Sequence, residues 1–508
     1  MSVLIGRAGA VTGRVIAWAG LFAAAGVVAF LAAARVQAPS LALAFGTAAA
    51  IAIGCWMFFS ERMERPLIVF MLYLGLLDGY LKLRTNSSSI TLGRDALLYA
   101  LAVGFLARAT LRRQPLRLPP LSGWVLAFVV VVLVQVANPA DTGLVHTLGA
   151  LRPHLEFVPL FFVGYAMLQT TARLRTFFAV LVVIAVANGL VGLVQLQLTP
   201  AQLASWGPGY SFRINGNGVG VDAVSGREYV TSTGLSRTRP FGLGDDSGVG
   251  AVWGMLALGG AVALLSLGVR HSVSRLSLLL CLGPPLAIIS GETRSVVIGS
   301  IITLLAYLAF ATTSRRLIPT MIATAAAVAV IAGVIAFVGS SGGSGVFERY
   351  LTLSPNKLIA TTDRSRGRSF SAIPDLIAHH PLGNGLGGVG PAAGFAGGGN
   401  SGSNGETEPG FLISELGVPG LVVYYGLNLN LLVLGVRRIR RLDPETRMFV
   451  GALLAGLIGL LIVGASAATT ATSPSAPFLW FTSGALAYWL TDRRREDAAR
   501  AGSVPAPV

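Results

Sequence analysis

The chain of 508 residues is 53% hydrophobic and only 12% charged, where a soluble domain carries about 25% charged residues; a soluble globular protein is excluded and a helical bundle in lipid is left. The 38 Lys and Arg against 22 Asp and Glu give a net charge of +16. Because the Arg residues stand in small groups between apolar runs, this excess reads as the basic loops of a membrane protein beside anionic lipid, and nucleic acid is excluded as a partner.

Taken in order, about fourteen apolar runs approach the roughly 20 residues that a bilayer core demands of a helix. They fall near 15–34, 41–59, 66–81, 95–109, 121–137, 150–168, 176–197, 247–268, 276–290, 295–312, 317–338, 410–435, 447–466 and 475–491. The first follows Arg7 and Arg14 and is longer than the usual signal-peptide core, so it reads as a retained helix. Cys55 and Cys281 both fall inside apolar runs and supply neither a disulfide framework nor a zinc site. Basic residues gather in alternate connections: Arg112 and Arg113, Arg315 and Arg316, Arg437 to Arg441, and Arg493 to Arg495. By the positive-inside rule these face the cytoplasm, with both termini on that side.

The expected fold is an all-α polytopic membrane protein with two large extracytoplasmic segments. Residues 1–338 hold the first eleven helices and the connection 199–246. Residues 339–409 form the second segment, 410–491 three more helices, and 492–508 a polar, disordered cytoplasmic tail. Within the second segment, Ser371 to His380 reads as a short helix, with Ser371 as N-cap, Pro374 in the first turn and Pro381 as the stop.

Charges near helix ends carry the functional signal, since a charge in lipid is costly and usually has a partner or a role. Arg237 and Arg239 lead through Pro240-Phe-Gly-Leu-Gly-Asp245-Asp246 into the eighth helix. Either this is a charged interfacial cap, or the planar guanidinium grips phosphate bidentately. Arg294 follows Glu292 in a tight turn at the top of the tenth helix; it pairs with that Glu or faces the same cavity as Arg239. Arg364, Arg366 and Arg368 form either a solvated basic run or a funnel for an anionic head group. Glu406 and Glu408 precede the twelfth helix, as acidic caps or as a general base for a hydroxyl proton. Arg152, His154 and Glu156 begin the sixth helix as a local polar cluster or as a wall of the cavity. Gly383-Asn-Gly385-Leu-Gly-Gly388 fits a nucleotide-loop spacing, but no strand precedes it, and His379-His380 lacks further ligands for a metal.

The order Arg239-Pro-Phe-Gly, Thr293-Arg294-Ser, Pro381-Leu-Gly-Asn-Gly-Leu-Gly387 and Glu406…Glu415-Leu-Gly-Val-Pro-Gly420 resembles the O-antigen ligase and polymerase superfamily of bacterial inner membranes. Asn188-Gly-Leu-Val-Gly-Leu-Val-Gln195 is similar to that family too. The resemblance spans about 152–425 and implies a metal-independent, inverting glycosyl transfer without cofactor on the outer face of the membrane. Its donor would be a glycan on undecaprenyl diphosphate and its acceptor another glycan, a lipid or a protein. By that analogy Arg239 and Arg294 hold the diphosphate, with Arg152, Arg237, Arg364, Arg366 and Arg368 available to the substrate. The ligase pattern has a His nine residues before the Glu of Glu-Leu-Gly. Glu406 stands there in this chain, which departs from ligation to lipid A and suits a polymerase or other glycan transferase. A transporter of the same lipids would carry ionisable groups near mid-membrane, and these spans are nearly free of them. A non-catalytic scaffold of a polysaccharide assembly is the remaining alternative.

Overall fold

The computed structural model describes residues 39–87, 89–111, 118–138, 144–216, 227–231, 234–268, 281–311, 350, 356, 366–390, 393 and 407–492. The expected spans 15–34 and 317–338, the basic residue Arg364, Glu406 and the tail beyond Asp492 lie outside them.

In chain order the described helices are α1 (Pro39–Phe59), α2 (Glu64–Leu72), α3 (Gly79–Thr85), α4 (Ser89–Leu111), α5 (Ser122–Val134), α6 (Leu144–Leu155), α7 (Leu160–Met167), α8 (Thr171–Leu196), α9 (Pro200–Ala204) and α10 (Pro208–Asn215). A two-stranded antiparallel hairpin, β1 (Glu228–Val230) and β2 (Ser236–Thr238), follows. Then come α11 (Val249–Gly268), α12 (Gly283–Ser290), α13 (Arg294–Ala311), α14 (Ile373–His379), α15 (Glu408–Arg438), α16 (Pro444–Gly464) and α17 (Ser475–Ala487). Among the described residues the all-α expectation holds apart from that hairpin.

Among the described residues, seven helices are long and apolar enough to cross a membrane: Glu64–Thr85, Ile90–Leu111, Thr171–Leu196, Val249–Leu267, Arg294–Ala311, Glu408–Arg441 and Pro444–Gly464. This is a helical membrane protein, with seven such helices where the apolar runs predicted about fourteen. Several expected spans differ for visible reasons. The run 150–168 is two helices: α6 continues past Pro153, and Pro159, which has no N–H for the ladder, stands between α6 and α7. The runs 121–137 and 475–491 yield the shorter α5 and α17, each ending in a tightened or widened turn.

Two compact units divide the chain. The smaller holds α1, α2 and α4, with α1 lying along α4. The larger, 75–86 and 118–508, holds the rest. In it α8 packs on α11 and α12, α13 on α16, and α7 on α17. Glycines set these approaches. A β-carbon at Gly164 would run into the carbonyl oxygen of Phe481, and one at Gly484 into that of Phe161, so α7 and α17 cross backbone to backbone, as small residues permit in lipid. Gly484→Leu is expected to force the pair apart and to cost about 1–3 kcal/mol or more, read as a lowered unfolding temperature in detergent.

The same contacts fix helix directions. Gly250 lies against Asn188 while Gly260 lies against Phe178, so α8 and α11 are antiparallel; Gly299 meets Val463 and Gly451 meets Phe310, so α13 and α16 are antiparallel too. Gly283 meets Val186 and Gly192 meets Ser290, which makes α12 parallel to α8. The C-termini of α8, α12 and α16 and the N-termini of α11 and α13 therefore share one end of the bundle, and Gly464 against Glu408 adds the start of α15. The opposite end carries Thr171 bonded to Thr446 and Arg175 paired with Glu445.

The connection 199–246, expected as a long loop, is folded where it is described. Thr199 closes a capping box with Gln202 at the start of α9. Leu203, Tyr210, Ile214 and Phe241 then bury against Leu83 of α3 in a small core of their own.

Candidate functional site

The shared end of the bundle is built by polar side chains of apolar helices. On α8, Asn188 and Gln195 stand two turns apart on one face, both buried. The Asn188 amide donates to the Gly75 and Ile184 carbonyls at 2.9 Å and accepts from the Leu243 N–H at 2.9 Å. Gln195 accepts from the N–H groups of Phe241 and Gly242, each at 2.8 Å, and donates to the Gly242 carbonyl at 2.9 Å. Two amides thus pin the backbone directly after Arg239 and Pro240. Buried amides this fully used hold one conformation, because releasing any bond leaves a polar group unpaired.

The hairpin brings in the second element. Arg237 donates to the Leu196 carbonyl at 3.0 Å at the end of α8. Its cross-strand partner Tyr229 donates its hydroxyl to the buried Glu292 carboxylate at 2.9 Å. Glu292 adopts a left-handed φ of 46°, an uncommon conformation for a residue with a β-carbon, and so reverses the chain between α12 and α13. Gly248 donates its N–H to the Pro240 carbonyl at 3.1 Å, and a β-carbon there would strike Thr293. Arg239 and Arg294 are each one residue from this contact, and both are half-buried. The structure brings the chain segments that carry these two expected residues side by side. Tyr350 bonds the Ile289 carbonyl at 2.6 Å and ties the start of the second long segment to the same turn.

Acidic residues beside them are already engaged. Arg227 binds Asp246 through two bonds of 2.7 and 2.6 Å, Arg213 stands 3.9 Å away, and the Ser247 N–H adds a bond of 2.6 Å. Burial raises the Asp246 carboxyl, but the Arg227 hydrogen bonds and charge, with Arg213 and the Ser247 N–H, outweigh it and hold the group below its ordinary value. A depressed folded value stabilises above the unfolded value of about 3.9 and loses that stabilisation as pH falls through the folded value. Asp246→Asn is expected to cost about 1 kcal/mol at pH 7, and the gap from the unsubstituted protein to narrow below about pH 4. Unfolding temperature followed against pH reads both. Lys82 joins Asp78 at 2.8 Å and Asp245 at 3.3 Å on the same loop.

A second set of contacts anchors the segment after Arg366. Residues 366–371 are helical and α14 begins at Ile373, with Pro374 in its first turn. Ser371 does not cap it, since its hydroxyl turns back to the Arg368 carbonyl. Arg366 is half-buried and Arg368 exposed. Ser369 shares a 2.8 Å hydrogen bond with Thr407, the N-cap of α15. Beyond α14 the turn 381–390 lies against a break in α15 at Gly417, whose φ is 66°. The helical bond from residue 418 to residue 414 is replaced by two others: Val418 donates to the Pro381 carbonyl at 2.8 Å, and Asn384 donates to the Ser414 carbonyl at 2.7 Å. Pro419, which has no N–H, already weakens the ladder there. Gln135 and Asn138 donate to the Leu382 and Gly383 carbonyls from the other side.

The two acidic candidates differ. Glu406 lies outside the described residues. Glu408, expected beside an arginine-lined cavity, has its carboxylate 1% exposed and held by Thr469 and Thr470, through hydroxyl bonds of 3.0 and 2.5 Å and the Thr470 N–H at 3.0 Å. Its geometry ties the start of α15 to the connection after α16. Arg152 stays near Glu156, at 3.5 Å.

One pairing was not foreseen in the amino-acid pattern, which set His154 beside Arg152 and Glu156 and Glu415 only within its motif. His154 Nε2 lies 2.7 Å from Glu415 Oε2, both side chains buried, and the ring stacks on Phe411 with centroids 4.9 Å apart. The signal was present: a His and a Glu in otherwise apolar stretches each need a partner. Among the described residues no three His, Cys, Asp or Glu side chains gather where they could hold a metal ion. No protein-family model and no curated protein matches this chain.

Proposed function

We propose that this chain is an inverting, metal-independent glycosyltransferase that polymerises or transfers a glycan carried on undecaprenyl diphosphate. It works at the outer face of the bacterial cytoplasmic membrane, with both termini in the cytoplasm. The observation that carries the reading is the meeting of the Arg239 loop with the Arg294 turn across Pro240, Gly248 and Thr293. Residues distant in the chain place two guanidinium-bearing segments at one helix-bundle end, as an anionic diphosphate requires. The basic run Arg437 to Arg441 belongs to the opposite end, beside Glu445 and Arg175, which supports the orientation.

The reaction follows from those groups. The acceptor hydroxyl oxygen attacks the anomeric carbon as the bond from that carbon to the phosphate oxygen breaks. The electron pair leaves on undecaprenyl diphosphate, whose added charge Arg239 and Arg294 stabilise. The hydroxyl proton passes to a carboxylate; Glu406 takes this role, since the Glu408 oxygens are already occupied by threonine donors. Arg366 and Arg368 supply the approach for the head group.

The test is reconstitution in liposomes with a lipid-diphosphate-linked oligosaccharide. Chain growth with release of undecaprenyl diphosphate is expected, and Glu406→Ala should lower its rate by about 100-fold or more. Movement of the lipid across the bilayer without growth would replace this reading with that of a carrier.

A further inference from the structure

The Glu415 carboxylate is the meeting point of three elements. Its Oε2 faces His154 Nε2 of α6 at 2.7 Å, and its Oε1 accepts the N–H groups of Gly387 at 3.1 Å and Val389 at 3.2 Å. Both side chains are at most 1% exposed. The His154 ring lies flat on Phe411, at an interplanar angle of 5°, one turn before Glu415 on α15. Stacking and the hydrogen bond together leave the ring a single orientation. A buried carboxylate needs its donors, and losing one of them costs more than an ordinary hydrogen bond. The turn 381–390 is therefore held at Glu415 as well as at the Gly417 break. The same turn follows α14 and the residues Arg366 and Arg368.

We infer that His154 is a positioning residue. Through Glu415 it clasps the turn 381–390, and so joins the helix that carries Arg152 to the segment that carries Arg366 and Arg368. The clasp stands on the geometry alone. Its consequence, a correctly set grip on the diphosphate of the donor, rests on the proposed transfer reaction. Removing His154 leaves the Glu415 carboxylate buried with only the backbone donors, and its hold on the turn is loosened. A glutamine side chain keeps an N–H donor at that place and restores part of the hold.

Amide hydrogen exchange on the full-length protein in detergent tests the clasp without any substrate. With His154→Ala, exchange across 381–390 should quicken about tenfold or more, while the buried amides of α16 keep their protection. His154→Gln should recover at least half of the lost protection. In the transfer assay His154→Ala should raise KM for the lipid-linked donor about tenfold, with a much smaller change in kcat. Wild-type exchange in His154→Ala, or His154→Gln exchanging as fast as His154→Ala, overturns the clasp. If His154→Ala does not fold, Val389→Pro, which removes one N–H from Glu415 and leaves the His–Glu pair, takes its place: faster exchange over 385–388 supports the clasp, and unchanged exchange overturns it. A fall in kcat at unchanged KM overturns the positioning role. Loss of exchange protection in a protein that shows no transfer at all would retain the clasp and sink the glycosyltransferase reading.

Discussion

Arg294→Ala is expected to slow glycan transfer from a polyprenyl-diphosphate donor by about 100- to 1000-fold, the range seen when a preorganised donor is taken from a developing oxyanion. Arg239→Ala should act similarly. Arg294→Lys keeps the charge but loses the planar fork, and should recover only part of the rate. Because both groups are proposed to hold one diphosphate, the double substitution should cost less than the sum of the two single losses. A purified protein assayed at saturating and at limiting donor separates binding from turnover. Undiminished rates in both single variants would remove the arginines from the reaction.

The largest structural effect is expected at Gly417. Its φ of 66° belongs to the region that disfavours a β-carbon, and a β-carbon there would collide with Pro381, Leu382 and Gly383. Gly383 is the reciprocal case, with a φ of 87° and a β-carbon position 2.6 Å from the Glu415 carbonyl oxygen. Gly417→Ala therefore carries the backbone cost of about 1–3 kcal/mol and a collision of similar size, and it expels the turn 381–390 from α15. Lowered unfolding temperature and lost transfer are the expected readings. Gly388→Ala, with no atom within 4 Å of the added carbon, is the matched control and should change little.

The long spans were legible because lipid demands an unbroken apolar run, and Thr171–Leu196 or Pro444–Gly464 can be read without any tertiary knowledge. The breaks were less so: 150–168 is interrupted at Pro159, although the run still looks long enough to span. The fold of 199–246 was hidden because its small core borrows Leu83, more than a hundred residues upstream. Glu408 read as a helix cap or a general base because its partners Thr469 and Thr470 lie beyond the next helix. His154 and Glu415 were visible singly, but nothing local joins residues 261 positions apart. The Arg239 and Arg294 segments were expected at one end of the bundle, and the backbone contacts at Gly248 and Thr293 bring those two segments side by side.

The most direct measurement is a structure of the protein with a lipid-diphosphate-linked sugar bound. The two phosphates are expected between Arg239 and Arg294, with guanidinium nitrogens about 2.7–2.9 Å from phosphate oxygens and the sugar turned toward the segment before α15. A diphosphate bound at the other end of the bundle, or touching neither arginine, would contradict this expectation.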